Sequence, residues 1–375
     1  MITDRYQRHS LIDWFSQDDV KGSSFAVIGC GAVGNEVAKN LALLGVGKID
    51  LFDFDTIELH NLTRSVLFRE SDVGLNKAEV AGHRLRELDP NIDVSTYVGD
   101  VWELLSLEKA KGYSCILCCV DNFEARLKIN QICLLTGTNL INTGIDSKFS
   151  LIEVFPFSSG KHVACYECNL PLSAYQRIQQ RYSCGWLKKI SFIEKKIPTT
   201  IITSSLTGAL AVANALRLIN NDFQHSAKKI FIDSFTGNST VSEVEQSTVC
   251  PSCSNLGDNI SVLSGIDKIE SELFTTPTKP LSIITSDPIL VSHRCVKCVP
   301  NEEEATIVFQ KASSFNSTIT RCSICNTDSV DVKIKDTFTT IELLETYSNK
   351  ESPAKFIRFD IENRTIIIEL EKANV

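Results

Sequence analysis

The stretch GCGAVG, residues 29–34 of this 375-residue chain, carries the clearest information about its fold. An apolar run, Phe25–Ile28, precedes the stretch, and a helical pattern follows it from Val33 to Leu44. A glycine loop between a strand and a helix brings backbone N–H groups and a helix N-terminus up to an anion. Asp53 ends the next apolar run, where a carboxylate can accept hydrogen bonds from ribose hydroxyls. The pattern therefore predicts a nucleotide-binding α/β fold.

Two classes of protein share these features. The glycines and Asp53 fit an NAD(P)-dependent oxidoreductase as well as an ATP-binding enzyme. Arg64 and Lys77 follow the acid along the chain. They favour ATP, because the charge on its phosphates must be neutralised while a carboxylate attacks. The NAD(P) oxidoreductase is kept as the alternative.

Short apolar runs alternate with amphipathic helical stretches through the first half of the chain, which is typical of a parallel sheet covered by helices. We predict a Rossmann-like, mostly parallel sheet with helices on both faces, and a crossover loop over the polar segment from Pro171 to Pro198. The predicted strands are 24–28, 48–53, 93–98, 115–120, 140–144, 151–155, 229–235 and 239–245, and the predicted helices are 33–44, 77–88, 122–135 and 203–219.

Composition excludes several classes of partner. The net charge of −8, from 46 acidic and 38 basic residues, gives no general attraction for nucleic acid or an anionic membrane. The first residues are polar rather than an apolar signal segment. No run approaches the roughly 18 apolar residues that a membrane span requires. We therefore expect a cytoplasmic protein.

Eight of the 14 cysteines fall into four Cys-x-x-Cys pairs, which in a cytosolic chain of this size indicates metal binding rather than disulfides. Two thiolates separated by two residues can point at one metal, so two such pairs complete a closed tetrahedral zinc site. The alternative for the first set is four buried free cysteines. The first set is Cys165, Cys168, Cys250 and Cys253, and the second is Cys295, Cys298, Cys322 and Cys325.

The second set fits a zinc ribbon in a C-terminal region that is too small to bury much surface, so a metal would supply stability there. Binding of a peptide or protein substrate and passive stabilisation of a dimer are both open as its role. We expect a main domain over residues 1–258, a linker over 259–286 and a small zinc-ribbon-like domain over 287–375.

Six motifs resemble, in order and spacing, those of the ThiF/MoeB family, the ubiquitin-activating type of adenylating enzyme. The resemblance covers roughly residues 1–258 and is closest to the branch that modifies ribosomal peptide antibiotics of the microcin C and pantocin type. Ser65 departs from the pattern, because most of the family has glutamine there. The motifs are RYQRH at 5–9, GCGAVG at 29–34, LFDFD at 51–55, NLTR at 61–64, GLNK at 74–77 and CCVDN at 118–122.

This resemblance implies an ATP-dependent adenylyltransferase that uses magnesium and contains zinc. It implies that Asp53 holds the ribose, that Arg64 and Lys77 neutralise phosphates, and that Asp121 binds magnesium. It also implies a homodimer in which Arg8 completes the ATP site of the partner. Ala32 stands where the family commonly has glycine. The residues assigned to the nucleotide are Gly29, Gly31, Ala32, Gly34, Asp53, Asn61, Arg64, Lys77, Asp121 and Asn122.

Cys184 lies in the crossover segment, where thioester-forming relatives carry their nucleophile. Nearby cations such as Arg181 and Lys188 favour a thiolate, but a loop cysteine without a role is equally compatible with the sequence. We expect the substrate to be a carboxylate on a ribosomal precursor peptide, in peptide-antibiotic biosynthesis. The alternative is the Gly-Gly C-terminus of a ubiquitin-like or sulfur-carrier protein, activated through a Cys184 thioester.

Overall fold

A computed structural model of the chain shows two compact units, one holding the described residues up to 254 and the other those from 256 onward. Each unit has its own sheet and its own core. The structure describes residues 5–159, 163–171, 173, 198–220, 222, 226–254, 256–257, 259–265, 282–312, 322–327, 329–340, 342–343, 354–361 and 364–370.

The first unit is built on an eight-stranded sheet with the order β3-β2-β1-β4-β5-β6-β7-β8. The first five strands in that order are parallel, and β6, β7 and β8 run antiparallel to their neighbours. The strands are β1 Ser24–Ile28, β2 Lys48–Asp53, β3 Asp93–Val98, β4 Cys115–Cys118, β5 Asn139–Ile145, β6 Phe149–Phe155, β7 Ala227–Asp233 and β8 Ser239–Val244.

Helices cover both faces of this sheet. Phe25 and Val27 of β1 share a buried core with α2, α3 and α7, and strand alternation directs Ala26 and Ile28 to the opposite face. The helix α6 packs against β4 and β5. The helices are α1 Gln17–Lys21, α2 Ala32–Leu44, α3 Lys77–Leu88, α4 Val101–Leu104, α5 Leu107–Lys111, α6 Phe123–Thr136 and α7 Ile201–Ile219, with 3₁₀ segments at His9–Leu11, Leu59–Asn61, Glu70–Asp72, Phe157–Ser159, Tyr166–Asn169 and Glu302–Glu304.

The α/β architecture predicted from the sequence is confirmed. The strand β4 ends at Cys118, two residues before the predicted end, because the chain turns there into the cap of α6 at Asn122. Within the described residues, α7 alone has the length and hydropathy of a membrane span, and 56% of its apolar window is buried. That burial is accounted for by the packing of α7 against α2, β5 and β6.

The second unit is a six-stranded sheet with the order β11-β10-β13-β14-β9, in which β12 also pairs with β10. The strand β9 is parallel to β14, and the other pairs are antiparallel. The strands are β9 Asn259–Ser264, β10 Ile283–Cys295, β11 Thr306–Lys311, β12 Val330–Phe338, β13 Phe356–Ile361 and β14 Arg364–Glu369.

The structure corrects the predicted linker over 259–286. Its first residues form β9, and β10 begins at Ile283. The physical reason is that β9 acquires its hydrogen bonds from β14 near the end of the chain, a partner that no local sequence pattern reveals. Buried residues of this unit, including Ile283, Phe359 and Ile368, form a core of their own.

Candidate nucleotide site and metal centres

The glycine loop between β1 and α2 needs glycine at two of its positions. Gly29 has a φ of +88°, and a Cβ there would lie 2.9 Å from the carbonyl oxygen of Cys119. A Cβ on Gly34 would lie 1.8 Å from the carbonyl oxygen of Gly29. At Gly31, a Cβ would meet no described atom within 4 Å. The loop is therefore folded tightly at both ends and open in the middle, where α2 begins at Ala32.

Asp53, the last residue of β2, lies directly against this loop. Its Oδ2 accepts the N–H of Cys30 at 2.6 Å, and its Oδ1 accepts the N–H of Asp55 at 2.8 Å. Burial raises the pKa of this carboxyl, and the two N–H donors and Lys77 oppose the shift. Each carboxylate oxygen keeps a second lone pair for a further donor. The acid predicted to hold a ribose is thus adjacent to the predicted phosphate loop.

Lys77 is the first residue of α3 and reaches the same region. Its Nζ lies 2.7 Å from Oδ2 of Asp55, and only 12% of its side chain is exposed. Arg64 donates from Nη1 to the carbonyl oxygen of His60 at 2.9 Å. Within the described part of the chain this is the guanidinium's one hydrogen bond, so most of its donors are left for a ligand.

Two predicted nucleotide ligands have structural duties in this chain. Oδ1 of Asn61 accepts the N–H of Glu58 at 2.9 Å, which closes the turn before Arg64. Oδ1 of Asn122 accepts the N–H of Ala125 at 2.8 Å and caps α6. Asp121, directly before that cap, is exposed.

The strand order brings these pieces to one edge. In the sheet, β1 lies between β2 and β4 and is parallel to both. The glycine loop after β1, Asp53 at the end of β2 and Asp121 after β4 therefore all follow the carboxyl ends of neighbouring strands. Ligands of open α/β sheets bind at this kind of edge.

Arg8 is exposed on an N-terminal segment in which Arg5, Tyr6 and His9 each contact another part of the chain. Arg5 forms an ion pair with Asp89 at 3.1 Å, and the hydroxyl of Tyr6 donates to the same carboxylate. Nδ1 of His9 lies 2.7 Å from Oε1 of Gln17. The anchored neighbours fix the direction of the segment while Arg8 faces solvent. Cys184 lies outside the described residues.

The first cluster is the set Cys165, Cys168, Cys250 and Cys253, and its four sulfurs lie within 4.8 Å of one another. Measured Sγ–Sγ distances are 3.6 Å for Cys165–Cys250, 3.9 Å for Cys165–Cys168 and 3.4 Å for Cys168–Cys253. A tetrahedral zinc site with bonds of about 2.3 Å requires sulfurs about 3.8 Å apart. The four thiolates therefore fit zinc, with no open position left for a substrate.

The second cluster is the set Cys295, Cys298, Cys322 and Cys325 in the second unit, and its sulfurs also lie within 4.8 Å. The Cys295–Cys325 and Cys298–Cys322 distances are 3.5 and 3.8 Å. All 13 described cysteines are free of disulfides. Both cysteine sets predicted from the sequence are thus brought together in the geometry of a tetrathiolate metal site.

Comparison with protein families decides the assignment. The ThiF family model matches residues 5–255. The chain belongs to the ThiF family. This membership agrees with the resemblance read from the motifs, and it leaves the NAD(P) oxidoreductase without support.

Relatives of this ThiF chain include two kinds of enzyme. Ubiquitin-like modifier-activating enzyme 5 of Drosophila grimshawi is 31% identical over 227 residues, which cover 57% of this chain and 54% of the relative. The chain thus spans about half the length of the curated relatives it matches. A structure of E. coli MccB with AMPCPP and MccA aligns with a TM-score of 0.53 and 26% identity, covering 67% of this chain and 74% of MccB. The E. coli MccB complex with ATP gives 0.52 and 25%, with the same coverage.

Sequence reasoning missed two polar residues that support the site of this ThiF chain. Arg126 donates from Nη2 to the carbonyl oxygen of Val120, directly before Asp121, and from Nη1 to Oδ1 of Asn142 at 2.9 Å. Its position, one helical turn after Asn122, is the only signal that the sequence gives. The buried Asn35 lies in the first turn of α2, where a polar side chain looks unremarkable in the sequence.

Proposed function

We propose that this chain is an ATP-dependent adenylyltransferase that activates a carboxylate on a ribosomal precursor peptide or a small protein and releases pyrophosphate. The observation that carries the proposal is the meeting of the glycine loop, Asp53 and the Lys77–Asp55 pair at one sheet edge. This edge joins an anion-binding helix N-terminus, an acid suited to ribose and a cation suited to phosphate. Membership of the ThiF family supports the same reaction.

In this proposal, the residues at the sheet edge bind different parts of the nucleotide or support residues that do. The backbone N–H groups at the start of α2 bind phosphate oxygens. Asp53 accepts the ribose hydroxyls with the lone pairs that Cys30 and Asp55 leave unused. Lys77 and Arg64 turn towards the triphosphate, and Asn61 holds the turn that carries Arg64.

Asp121 is the carboxylate that we assign to magnesium. When bound, magnesium neutralises the leaving pyrophosphate. A single exposed carboxylate fits this ion, because magnesium in nucleotide sites keeps waters and takes one or two carboxylates together with phosphate oxygens. Arg126 holds the carbonyl of Val120 and so fixes the turn from which Asp121 projects.

The substrate is proposed from the two kinds of relative. One MccB structure contains MccA, and MccB is a microcin C7 biosynthetic enzyme. These relatives favour a peptide. The ubiquitin-like modifier-activating enzymes favour the alternative, a protein ending in Gly-Gly that passes through a thioester on Cys184. We place the peptide first because two stretches, NLTR at 61–64 and CYEC at 165–168, resemble that branch.

We further propose a cytoplasmic homodimer with Arg8 of one subunit in the ATP site of the other, and zinc in both cysteine clusters. The exposed Arg8 on an anchored segment supports the dimer. It can be tested by mixing Arg8→Ala subunits with Asp121→Ala subunits. One working site should return per mixed dimer, whereas a monomer on sedimentation or no recovery of activity would contradict the arrangement.

ATP–pyrophosphate exchange tests the proposed reaction. The substrates to compare are short peptides encoded beside the gene and a protein ending in Gly-Gly. Asp121→Ala should retain less than about a tenth of wild-type exchange, because loss of a metal-binding carboxylate costs several kcal/mol of transition-state stabilisation. The control is Asp93→Ala, which removes an exposed aspartate at the opposite edge of the same sheet. Exchange above that level in Asp121→Ala, or none in the wild type with either substrate, would refute the assignment.

Cys184→Ala separates the two substrate classes. Carboxylate attack on the α-phosphate needs cations, magnesium and the bound substrate, so exchange should persist in this variant. A direct acyl-adenylate route to the peptide should also keep the product. A thioester route should lose both the product and the reducible enzyme–substrate adduct.

A further inference from the structure

Asn35 is a fully buried asparagine in the first turn of α2, with 0% of its surface exposed. Nδ2 donates to the carbonyl oxygens of Cys30, at 2.6 Å, and Gly31, at 3.2 Å. Oδ1 accepts the N–H of Leu67 at 2.9 Å. A primary amide has two donor hydrogens, and both are used here alongside the acceptor.

These three bonds join two parts of the site that are distant in sequence. Cys30 and Gly31 lie in the middle of the glycine loop, and Leu67 follows Arg64 by three residues. Leu67 itself is buried in the main core, with 5% of its surface exposed. The amide of Asn35 is therefore a direct link between the loop that would seat phosphates and the segment that carries a phosphate cation.

The chemistry of the link requires an amide. A carboxylate at this position could accept from Leu67 but could not donate to either loop carbonyl. An alanine would leave buried backbone groups without their partner, which costs free energy. By holding the carbonyls of Cys30 and Gly31 inward, the amide also fixes the peptide planes of the loop.

We propose that Asn35 is a positioning residue for the triphosphate. Its hydrogen bonds hold the glycine loop and the segment that carries Arg64 at a fixed distance, so that the phosphate-binding loop and the cation are correctly placed before ATP binds. This deepens the proposed function and rests on it for the identity of the ligand. A residue that only stabilised α2 would affect folding alone. A residue that sets the loop against Arg64 should affect the phosphates and spare the adenosine moiety.

The test compares the affinities for ATP and for adenosine by calorimetry, together with thermal unfolding, in the full chain without peptide. Asn35→Ala should weaken ATP binding about tenfold and change adenosine binding by less than about twofold, because the loop and the Arg64 segment lose the hydrogen bonds that hold them together. Asn35→Asp keeps the acceptor for Leu67 and should weaken ATP binding at least as much.

The matched control is Asn214→Ala on α7. Asn214 is also buried, with 4% exposure, and its Nδ2 donates to the carbonyl oxygen of Leu210 at 2.8 Å. The Asn214→Ala variant should have a lower melting temperature and an unchanged ratio of ATP affinity to adenosine affinity. Equal weakening of both ligands in the folded Asn35 variants, or no weakening, would overturn the positioning role.

The outcomes also separate this inference from the proposed reaction. A wild-type chain that binds ATP but never exchanges pyrophosphate would refute adenylation. The role of Asn35 would still be tested by the ratio of ATP affinity to adenosine affinity. If Asn35→Ala does not fold, the ratio of ATP affinity to adenosine affinity is measured in the isosteric variant Asn35→Asp instead. A wild-type chain that binds no ATP would refute both proposals.

Discussion

In the first cysteine cluster three of the four residues between the cysteines are buried and Pro251 is exposed, whereas in the second cluster all four are exposed. Tyr166, Glu167 and Ser252 are each 8% exposed. The corresponding positions of the second cluster include Val296, at 44%, and Ile324, at 79%. The sulfur geometry is nearly the same in both. The two clusters differ in how closely the surrounding residues pack around the cysteines.

Hydrogen bonds reinforce this contrast. In the first cluster, Ser252 donates to the carboxylate of Glu167, so one Cys-x-x-Cys pair is tied to the other by a buried side-chain contact. In the second, Ser329 and Thr327 place hydroxyls 3.1 Å from the sulfurs of Cys295 and Cys325. The two pairs of the first cluster are thus linked by residues that lie between the cysteines, whereas in the second cluster hydroxyl groups contact the sulfurs themselves. The same type of four-cysteine cluster is therefore surrounded by packed residues in the first unit and by solvent-exposed residues in the second.

The largest effect is expected for Cys165→Ser in the first cluster. Structural zinc contributes on the order of 10 kcal/mol to small metal-dependent folds, and here the buried residues between the ligands would lose their support as well. We expect the metal content to fall from two zinc ions per chain to one, the first unit to lose several kcal/mol of stability, and exchange activity to disappear. Metal analysis and thermal unfolding measure these changes. Full exchange activity with one zinc ion per chain would show that the first unit does not depend on its cluster.

Cys322→Ser should have a smaller effect that stays within the second unit. Its core of buried residues, which includes Ile283 and Phe359, does not include the cluster. We expect one zinc ion per chain, a separate low-temperature unfolding transition and nearly wild-type pyrophosphate exchange. Circular dichroism melting and the exchange assay would show this. Loss of exchange in a variant that keeps the first zinc would mean that the second cluster supports catalysis.

Release of zinc to a chelator should occur in two phases. The exposed positions of the second cluster give a chelator access to its sulfurs, whereas the first cluster must open with its surroundings. We expect the faster phase to be absent in Cys322→Ser and the slower phase to be absent in Cys165→Ser. Stopped-flow absorbance with a metallochromic chelator measures both. A single rate for both ions would show that exposure does not control release.

The sequence predicted β1, β2, β3 and α3 to the residue, because their apolar periodicity is local and each is bounded by a glycine, a cap or a charged residue. It did not predict β9, whose partner β14 lies far along the chain. A short apolar alternation is ambiguous until the strand that pairs with it is known. The strand β9 of the second unit could therefore be placed only from a long-range contact, whereas several strands of the first unit could be placed from local pattern.

The candidate site divides in the same way. Gly29 could be read from the sequence because a positive φ and a close backbone approach leave glycine as the only choice. Asp53 could be read because parallel strands share a carboxyl edge. Asn35 could not be read, because its role depends on Leu67, which is brought to it only by folding. Residue types required by the backbone are visible in a sequence, and those required by a tertiary partner are not.

The smallest effects compare two serines at middle positions of the cysteine pairs. Ser252 is buried and donates to the buried carboxylate of Glu167, whereas Ser323 is exposed. Ser252→Ala removes a donor from a buried acceptor and should cost about 1–3 kcal/mol of unfolding free energy. Ser323→Ala changes a solvated side chain and should stay within about 0.5 kcal/mol. Both variants keep all eight sulfur ligands, so zinc content should remain at two and any difference reports the surroundings of the clusters alone. Chemical denaturation of the two variants side by side would measure it. Equal costs would show that the buried setting of the first cluster adds nothing to its stability beyond the metal, and the contrast between the clusters would then be one of exposure only.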